Sequence, residues 1–520
     1  MFMNRVWRLV LLPVVFAAGY GEAAQIPVRN RVDELVFAKQ AEAGFPPSEL
    51  CSDAVFVRRA YIDVIGTLPT ANEVRRFLSS RSLEKRSELI DELLHRPEFA
   101  DYWALKWCDL LRVKSEFPSN LWPNAVQAYH HWVLDALRRN MPYDQFARAL
   151  LTASGSNFRE PAVNFYRPFQ ERTPRKIFDT VALVFMGVRL ENSGWSEEQM
   201  LGMDAFFAKV AYKKTDEWKE EIVYSDPAKQ LVNPVSKEPV LPTPLGGAPL
   251  KPGIYDDPRV AFADWLTAPN NPWFSRAIVN RVWFWLMGRG IIHEVDDIRP
   301  DNPPWSPELL AYLEKELVEG KYDLKHIYRL ILNSSTYQLT SIPTLENKAD
   351  ESGFSHYRIR RLDAEVLIDA ICQITGTGEE YSSAIPEPFT FIPSSQRTIL
   401  LADGSIKSSF LEMFGRPGRD TSLESDRNNR VSVLQTLHML NSSHIQKKIM
   451  DGPRLRRMIV STPGNKERVN LLYLEILSRV PTPPEQKIAL DYIASSDRAD
   501  DGFYDLAWAL INTSEFILRH

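Results

Sequence analysis

Along most of this chain apolar residues recur every three or four positions, the spacing that puts them on one face of an α-helix. "ANEVRRFLSS", "KRSELIDELLHRP", "AYHHWVLDALRR", "RKIFDTVALVFMGV", "SRAIVNRVWFWLMGRG" and "SPELLAYLEKELVEG" all carry it. The period is lost across residues 218–255, where prolines and glycines crowd "VYSDPAKQLVNPVSKEPVLPTPLGGAPLKPG". Proline has no amide proton to give a helix or a central strand. The expectation is a mainly α chain. Helical domains over 30–217 and 256–520 are joined by a Pro/Gly-rich segment that is irregular or forms a short β-hairpin. A chain of 520 residues is too long for one ordinary core, so two domains are expected.

Helix ends are marked. Gly288 and Gly290 after "WFWLM", and Gly320 after "KELVE", are placed to stop helices in the left-handed conformation. Ser306 followed by Pro307 makes a helix start, hydroxyl cap first and proline in the first turn. The two chain ends also repeat each other. "AYIDVIGTLPTANEVRRFL" aligns with "LYLEILSRVPTPPEQKIAL", pairing Tyr61 with Tyr473, Pro69 with Pro481, Thr70 with Thr482 and Glu73 with Glu485. Each copy is followed by a related phrase, "LLHRPEFADYW" and "ALINTSEFILRH". Thr-x-x-Glu is a capping box, so Thr70 and Glu73 are assigned structural work and no catalysis.

Charge and compartment narrow the classes. A net charge of −5, with no Lys/Arg cluster interleaved with aromatics, argues against nucleic acid as a partner. Arg5 and Arg8 precede the apolar run Leu9 to Ala18, and Gly21 and Ala23 suit signal peptidase. Residues 1–23 therefore read as a signal peptide, too short in its apolar part to span a ~30 Å hydrocarbon core. No transmembrane segment is expected after cleavage, and the location is expected to be periplasmic or extracellular. Cys51, Cys108 and Cys372 allow at most one disulfide. Cys108 and Cys372 sit on apolar helical faces and read as inert core residues.

By these phrases the chain resembles two known domains. "FVRRAYIDVIGTLPTANEVRRFL", "LTASGSNFREPAVNFYR" and "LVFMGVRL…FFAKV" are similar to the planctomycete cytochrome C-like domain. "DPRVAFADWLTAPNNPWFSRAIVNRVWFWLMGRGIIHEVDDIRPDNPPWSPELLAYL", "SFLEMFGRPGRDTSLESDRNNRVSVLQTLHMLNSSHI" and "LYLEILSRVPTPPEQ" resemble its companion, the planctomycete-specific C-terminal domain. These are domains of unknown function fifteen forty-nine and fifteen fifty-three. The resemblance implies an exported protein without an established activity. In typical relatives the equivalent of "GVRL" leads into Cys-x-x-Cys-His, which would hold haem covalently. Here Glu191, Asn192, Ser193, Gly194 and Trp195 stand instead. Ser422 and Ser425 likewise stand near positions where relatives carry cysteines. The reading is a member that has shed the haem motif, with no covalent haem and no cofactor expected. Gly194 is expected to make a turn and Ser196 to cap the next helix, with Glu197 and Glu198 near its positive end.

Two clusters could bind something. In "IIHEVDDIRPDNPPW", His293, Glu294, Asp296, Asp297 and Asp301 could offer oxygen and imidazole ligands to a divalent ion. The alternative is a loop whose carboxylates cap local amides and pair with Arg299. In "GRPGRDTSLESDRNNR", Arg416, Arg419, Arg427 and Arg430 alternate with Asp420, Glu424 and Asp426. Guanidinium forks suit carboxylate, sulfate or phosphate ligands, and the alternative is a self-neutralising loop. His130 and His131 are adjacent, and His438 and His444 are six apart, so neither pair has helical chelating spacing. Ser154 lacks the context of a nucleophile elbow and reads as turn chemistry. Trp122 and Trp305, flanked by proline, are the tryptophans expected at the surface.

The favoured functional expectation is a non-catalytic binding or assembly component of the cell envelope, with an envelope protein or glycan as partner. One rival is an extracellular hydrolase acting on polymer where the Arg/Asp-rich loop and the acidic turn share a cleft. The other is a redox protein holding haem noncovalently.

Overall fold

The computed structural model describes residues 26–520, so the signal peptide expected at 1–23 lies outside the described residues. The helices form where the apolar period places them, and side-chain caps start them. Asn30, Ser52, Thr173 and Ser306 each accept a first-turn amide of the helix they open, satisfying donors that have no intrahelical partner. Thr70 with Glu73, and Thr482 with Glu485, make complete capping boxes at Ala71–Ser79 and Pro483–Ala494.

The glycine stops are less uniform. Gly288 closes Phe274–Met287 at φ 80°. Gly320 stays at φ −75° because its amide still bonds the Glu316 carbonyl, 2.9 Å away. Lys321 and Tyr322 make the left-handed turn in its place, at φ 54° and 60°. Gly290 answers a close approach, since a Cβ there would lie 2.2 Å from the Ile292 carbonyl oxygen.

Two helical regions lie on either side of a short strand and loop stretch. Val210–Lys214 pairs antiparallel with Glu221–Ser225, Val210 opposite Ser225, and Gly155–Ser156 adds to the free edge of the second strand. The hairpin therefore straddles the expected boundary at 217/218. Beyond it the chain runs without regular structure to Asp257, which caps Pro258–Leu266.

The buried apolar side chains of both regions form one continuous cluster. Pro97–Leu110 lies at the junction, with Trp103 and Trp107 ring centroids 5.1 and 6.2 Å from Trp285. Tyr143 stacks on Phe274 at 4.6 Å. The terminal repeats also meet, Ala71 and Val74 packing on Leu474. Buried Arg58 donates to the carbonyls of Ile476 and Phe516, at 2.8 and 2.9 Å. Elements distant in sequence thus interleave where the two regions meet. No helix here is long and apolar enough to cross a membrane, among the described residues.

Each repeat is held by an arginine that alignment does not pair. Arg96 bridges Glu73 and Glu98, while Arg479 bridges Glu485 and Glu515. Burial raises the Glu485 carboxyl, but Arg479 and the Thr482 cap outweigh it and pull it down to about 2. The same clamp is thus built from different positions in the two copies.

Because the core is shared, residues 30–217 made alone are expected to lack near-ultraviolet circular dichroism, whereas the full chain shows it. A native-like spectrum from the fragment would show that the first region folds independently.

Candidate functional site

The Arg/Asp-rich loop 415–430 closes on itself at its base. The Asn428 amide bonds the Gly415 carbonyl at 3.0 Å, and a Cβ on Gly415, at φ 77°, would fall 1.9 Å from the Asn428 carbonyl oxygen. Only glycine permits that approach. Arg419 and Ser422 take left-handed turns at φ 58° and 68°, and three of the loop's four guanidinium groups turn into the protein.

Arg416 donates to the carbonyls of Ile406 and Asp403, at 2.9 and 2.8 Å. Arg419 donates to Asp109 at 2.9 Å and to the carbonyls of Val113 and Ala402. Arg427 forks between two carboxylates, Asp109 at 2.7 Å and Glu365 at 2.7 Å. Asp420 is exposed and pairs with Lys114 at 2.8 Å. Asp426 accepts from Thr421. Arg430 is exposed. Three of the four arginines are thus spent internally, on partners from both helical regions.

Behind Arg427 lies a second layer. Asp363, fully buried, receives Lys106 at 3.0 Å, Arg519 at 2.7 Å, the Tyr102 hydroxyl at 2.8 Å and the Asn429 amide at 2.7 Å. Asp63 receives Arg519 at 2.9 Å and the hydroxyls of Tyr337 and Tyr357. Burial pushes the Asp109 carboxyl up, but Arg427 and Arg419 more than reverse it and hold it below the usual range. Burial also raises Asp363, yet Lys106, Arg519 and Arg427 hold it well below that range. Sequence reasoning missed Asp63, Lys106, Asp109, Asp363, Glu365 and Arg519. The available signal was charge within apolar helical stretches, as in "YWALKWCDLL" and "RRLDAEVLIDA", because such charges are buried only when paired.

The acidic turn joins the same network. Asp296 bonds Arg281 at 2.6 Å and accepts the Glu424 amide at 2.7 Å. Burial, with the Asp296 charge adding to it, raises the Glu424 carboxyl. Asp297 and Asp301 share Arg299, at 3.1 and 3.2 Å. His293 lies 3.3 Å from Glu294. Loop and turn therefore meet, but with Asp296, Glu424, Arg281 and Arg419 all buried. Among the described residues no three His, Cys, Asp or Glu side chains converge as a metal-holding group.

The connector 187–207 packs on that turn. The Ile298 amide bonds the Gly187 carbonyl at 2.8 Å, and Asn192 reaches Asp297 at 3.4 Å. Gly194 turns at φ 70°, and Ser196 with Gln199 forms a capping box. Trp195 lies between Phe178 and Trp273, ring centroids 6.1 and 6.0 Å away. The segment offers no thiol or imidazole, and an indole fills the space beside it. These residues do not fit a covalently attached haem.

Other candidates resolve separately. His130 is buried with neither ring nitrogen hydrogen-bonded, and burial drives its pKa down to about 3; His131 is exposed. His438 and His444 do meet, ring centroids 5.8 Å apart across a helix junction rather than along one helix. His444 is held by Glu379 at 2.7 Å. Ser154 donates to the Val223 carbonyl at the sheet edge. All three cysteines are free, and Cys372 is half-buried rather than buried, 3.5 Å from the Lys448 ammonium. Trp122 and Trp305 are both half-buried. Trp305 packs edge-on to Phe354 at 5.3 Å and Trp122 to Trp218 at 4.6 Å.

The fold is thus a mainly helical scaffold clasped by an interior arginine loop. Residues 31–212 match the family described as PSCyt2, a protein of unknown function (DUF1549). Residues 258–493 match PSD1, a protein of unknown function (DUF1553). The chain carries both domains, the cytochrome C-like and the planctomycete-specific one, in that order. No curated protein and no solved structure matches it.

Removing one partner of a buried ion pair leaves the other uncompensated, at a cost of about 3–5 kcal/mol. Arg427→Ala is expected to lose that much in urea unfolding, while Arg430→Ala leaves the midpoint unchanged. The lowered carboxyls of Asp109 and Asp363 add a pH dependence. Their folded pKa lies below the unfolded value of about 3.9. Their stabilisation is therefore complete above that pH and lost as pH falls through the folded value. Urea midpoints measured downward from neutrality should drop steeply below about pH 4, and less steeply in Asp109→Asn.

Proposed function

We propose that this chain is a non-catalytic binding component of the cell envelope, exported through residues 1–23 and working without haem. The observation that carries this reading is a surface aromatic cluster from three separate segments. Trp122 and Trp218 pack edge to face at 4.6 Å, and Phe389 lies 5.5 and 5.0 Å from them. Trp218 is 59% exposed, and Phe391 and Phe117 are exposed nearby in sequence. The Lys219 ammonium sits 4.8 Å from the Trp122 ring. Trp122 is held at φ 73°, a conformation a bulky residue rarely adopts and one found where structure serves a site. Its indole nitrogen is buried without a partner. Amphipathic rings at a surface suit a ligand that is apolar on one face and polar at its rim, as a sugar ring is. An envelope glycan is the partner this cluster favours.

The rival hydrolase needs solvent access where the loop meets the acidic turn. Those groups are buried and committed to one another, so their arrangement supports a structural role.

The test is retention of the purified mature chain on insoluble envelope polysaccharide. Trp218→Ala should weaken retention about tenfold without altering the far-ultraviolet circular dichroism or the urea midpoint. Equal retention of both proteins would discard the glycan site, and release of new reducing ends would establish the hydrolytic rival. A haem-stained band from the native protein would overturn the haem-free reading.

A further inference from the structure

A different surface carries an inference independent of the glycan reading. The helices Val433–Asn441, Ser443–Asp451 and Pro453–Ser461 follow one another almost without loops. The second and third bury Ile445, Ile449, Leu455 and Ile459 and both pack on Ala364–Thr375. Their outer sides, with Lys447, Met450, Arg456, Arg457 and Val460, therefore face away from that helix. The first rests on Ser409–Met413, where Gln435 donates to the Met413 carbonyl at 2.9 Å and His438 packs on Phe410. Its outer side presents Val433 and Leu434, 77% and 61% exposed, together with Leu437, and Val431 precedes them.

A helix that is apolar on both sides is ordinarily covered on both. Here no described residue covers the outer one. The sequence flanking it, Arg430 before it and the two helices after it, is basic. Lys448 and Arg454 are neutralised by Glu379 and Glu475, but Arg430, Lys447, Arg456 and Arg457 have no ion pair among the described residues. Over 428–461 Asp451 is the only acidic residue, in a chain whose net charge is −5. A second copy would bring these unpaired cations against their equivalents. The apolar side chains line neither of two surface recesses, of 390 and 470 Å³, beside Arg329 and Asp264, so they do not form a groove for a partner helix.

We propose that this strip docks the protein on an anionic bilayer surface. The apolar side chains enter the headgroup boundary, and Arg430, Lys447, Arg456 and Arg457 meet lipid phosphates. Attachment of this kind is peripheral and needs no spanning helix.

The experiment is co-sedimentation of the mature full-length chain with vesicles of phosphatidylcholine alone or mixed with phosphatidylglycerol, at low and high salt. Binding should require phosphatidylglycerol, weaken with salt, and fall at least about tenfold in the Leu434→Glu/Leu437→Glu double variant. Lys447→Glu/Arg456→Glu should reduce it with the apolar side chains intact. All the altered side chains are exposed, and an unchanged near-ultraviolet spectrum confirms folding. Absence of vesicle binding by the wild type, or equal binding by the variants, overturns the proposal. So does a wild-type dimer in light scattering that Leu434→Glu converts to monomer, since that assigns the strip to a second copy.

Discussion

Arg427, its side chain buried between Asp109 and Glu365, is the contact on which the arrangement of the chain depends. Asp109 ends a helix of the first region, Glu365 begins one of the second, and the guanidinium reaches both at 2.7 Å. Asp363, two residues before Glu365, extends the network to Lys106 and to Arg519 near the C-terminus. Taking such charges from water is costly, and only their mutual pairing and extra hydrogen bonds offset it. The geometry must therefore be close to complete for any of it to be tolerated. A register shift in any of the contributing helices would strand a charge in the core.

This constraint changes the meaning of the residues that look most chemical. The alternating arginines and carboxylates of 415–430 have the composition of an anion site, and the acidic turn that of a cation site. In place they are each other's counter-ions, joined through the Glu424 amide and Asp296 at 2.7 Å. The surface is instead marked by an aromatic cluster around Trp218 and by the apolar strip around Leu434 with its unpaired basic side chains. The binding proposed at those places would leave the ionic interior undisturbed.

Much of the fold was legible in the chain itself. Helical period, the Thr-x-x-Glu caps at Thr70 and Thr482, and the Gly288 stop all report local free energies, which a short window contains. Gly320 misled because a glycine can serve close approach as well as a left-handed turn. The arginine clamp of each repeat was invisible to alignment, since Arg96 and Arg479 reach equivalent glutamates from inequivalent positions. His438 and His444 likewise meet across a helix junction, a proximity that spacing along one helix cannot express.

The sequence by itself determined the helical class, the caps, the interruption at 218–255 and the absence of a Cys-x-x-Cys-His haem motif, because each depends on neighbours within a few residues. It also carried the resemblance that the two family matches confirm. Only the tertiary structure decided which charges are paired, that both regions share one core, and which aromatic rings remain at the surface. Those outcomes rest on contacts between residues hundreds of positions apart, such as Arg519 with Asp63. Burial decides whether a charged side chain serves as a ligand or as a counter-ion, and burial is a property of the assembled chain.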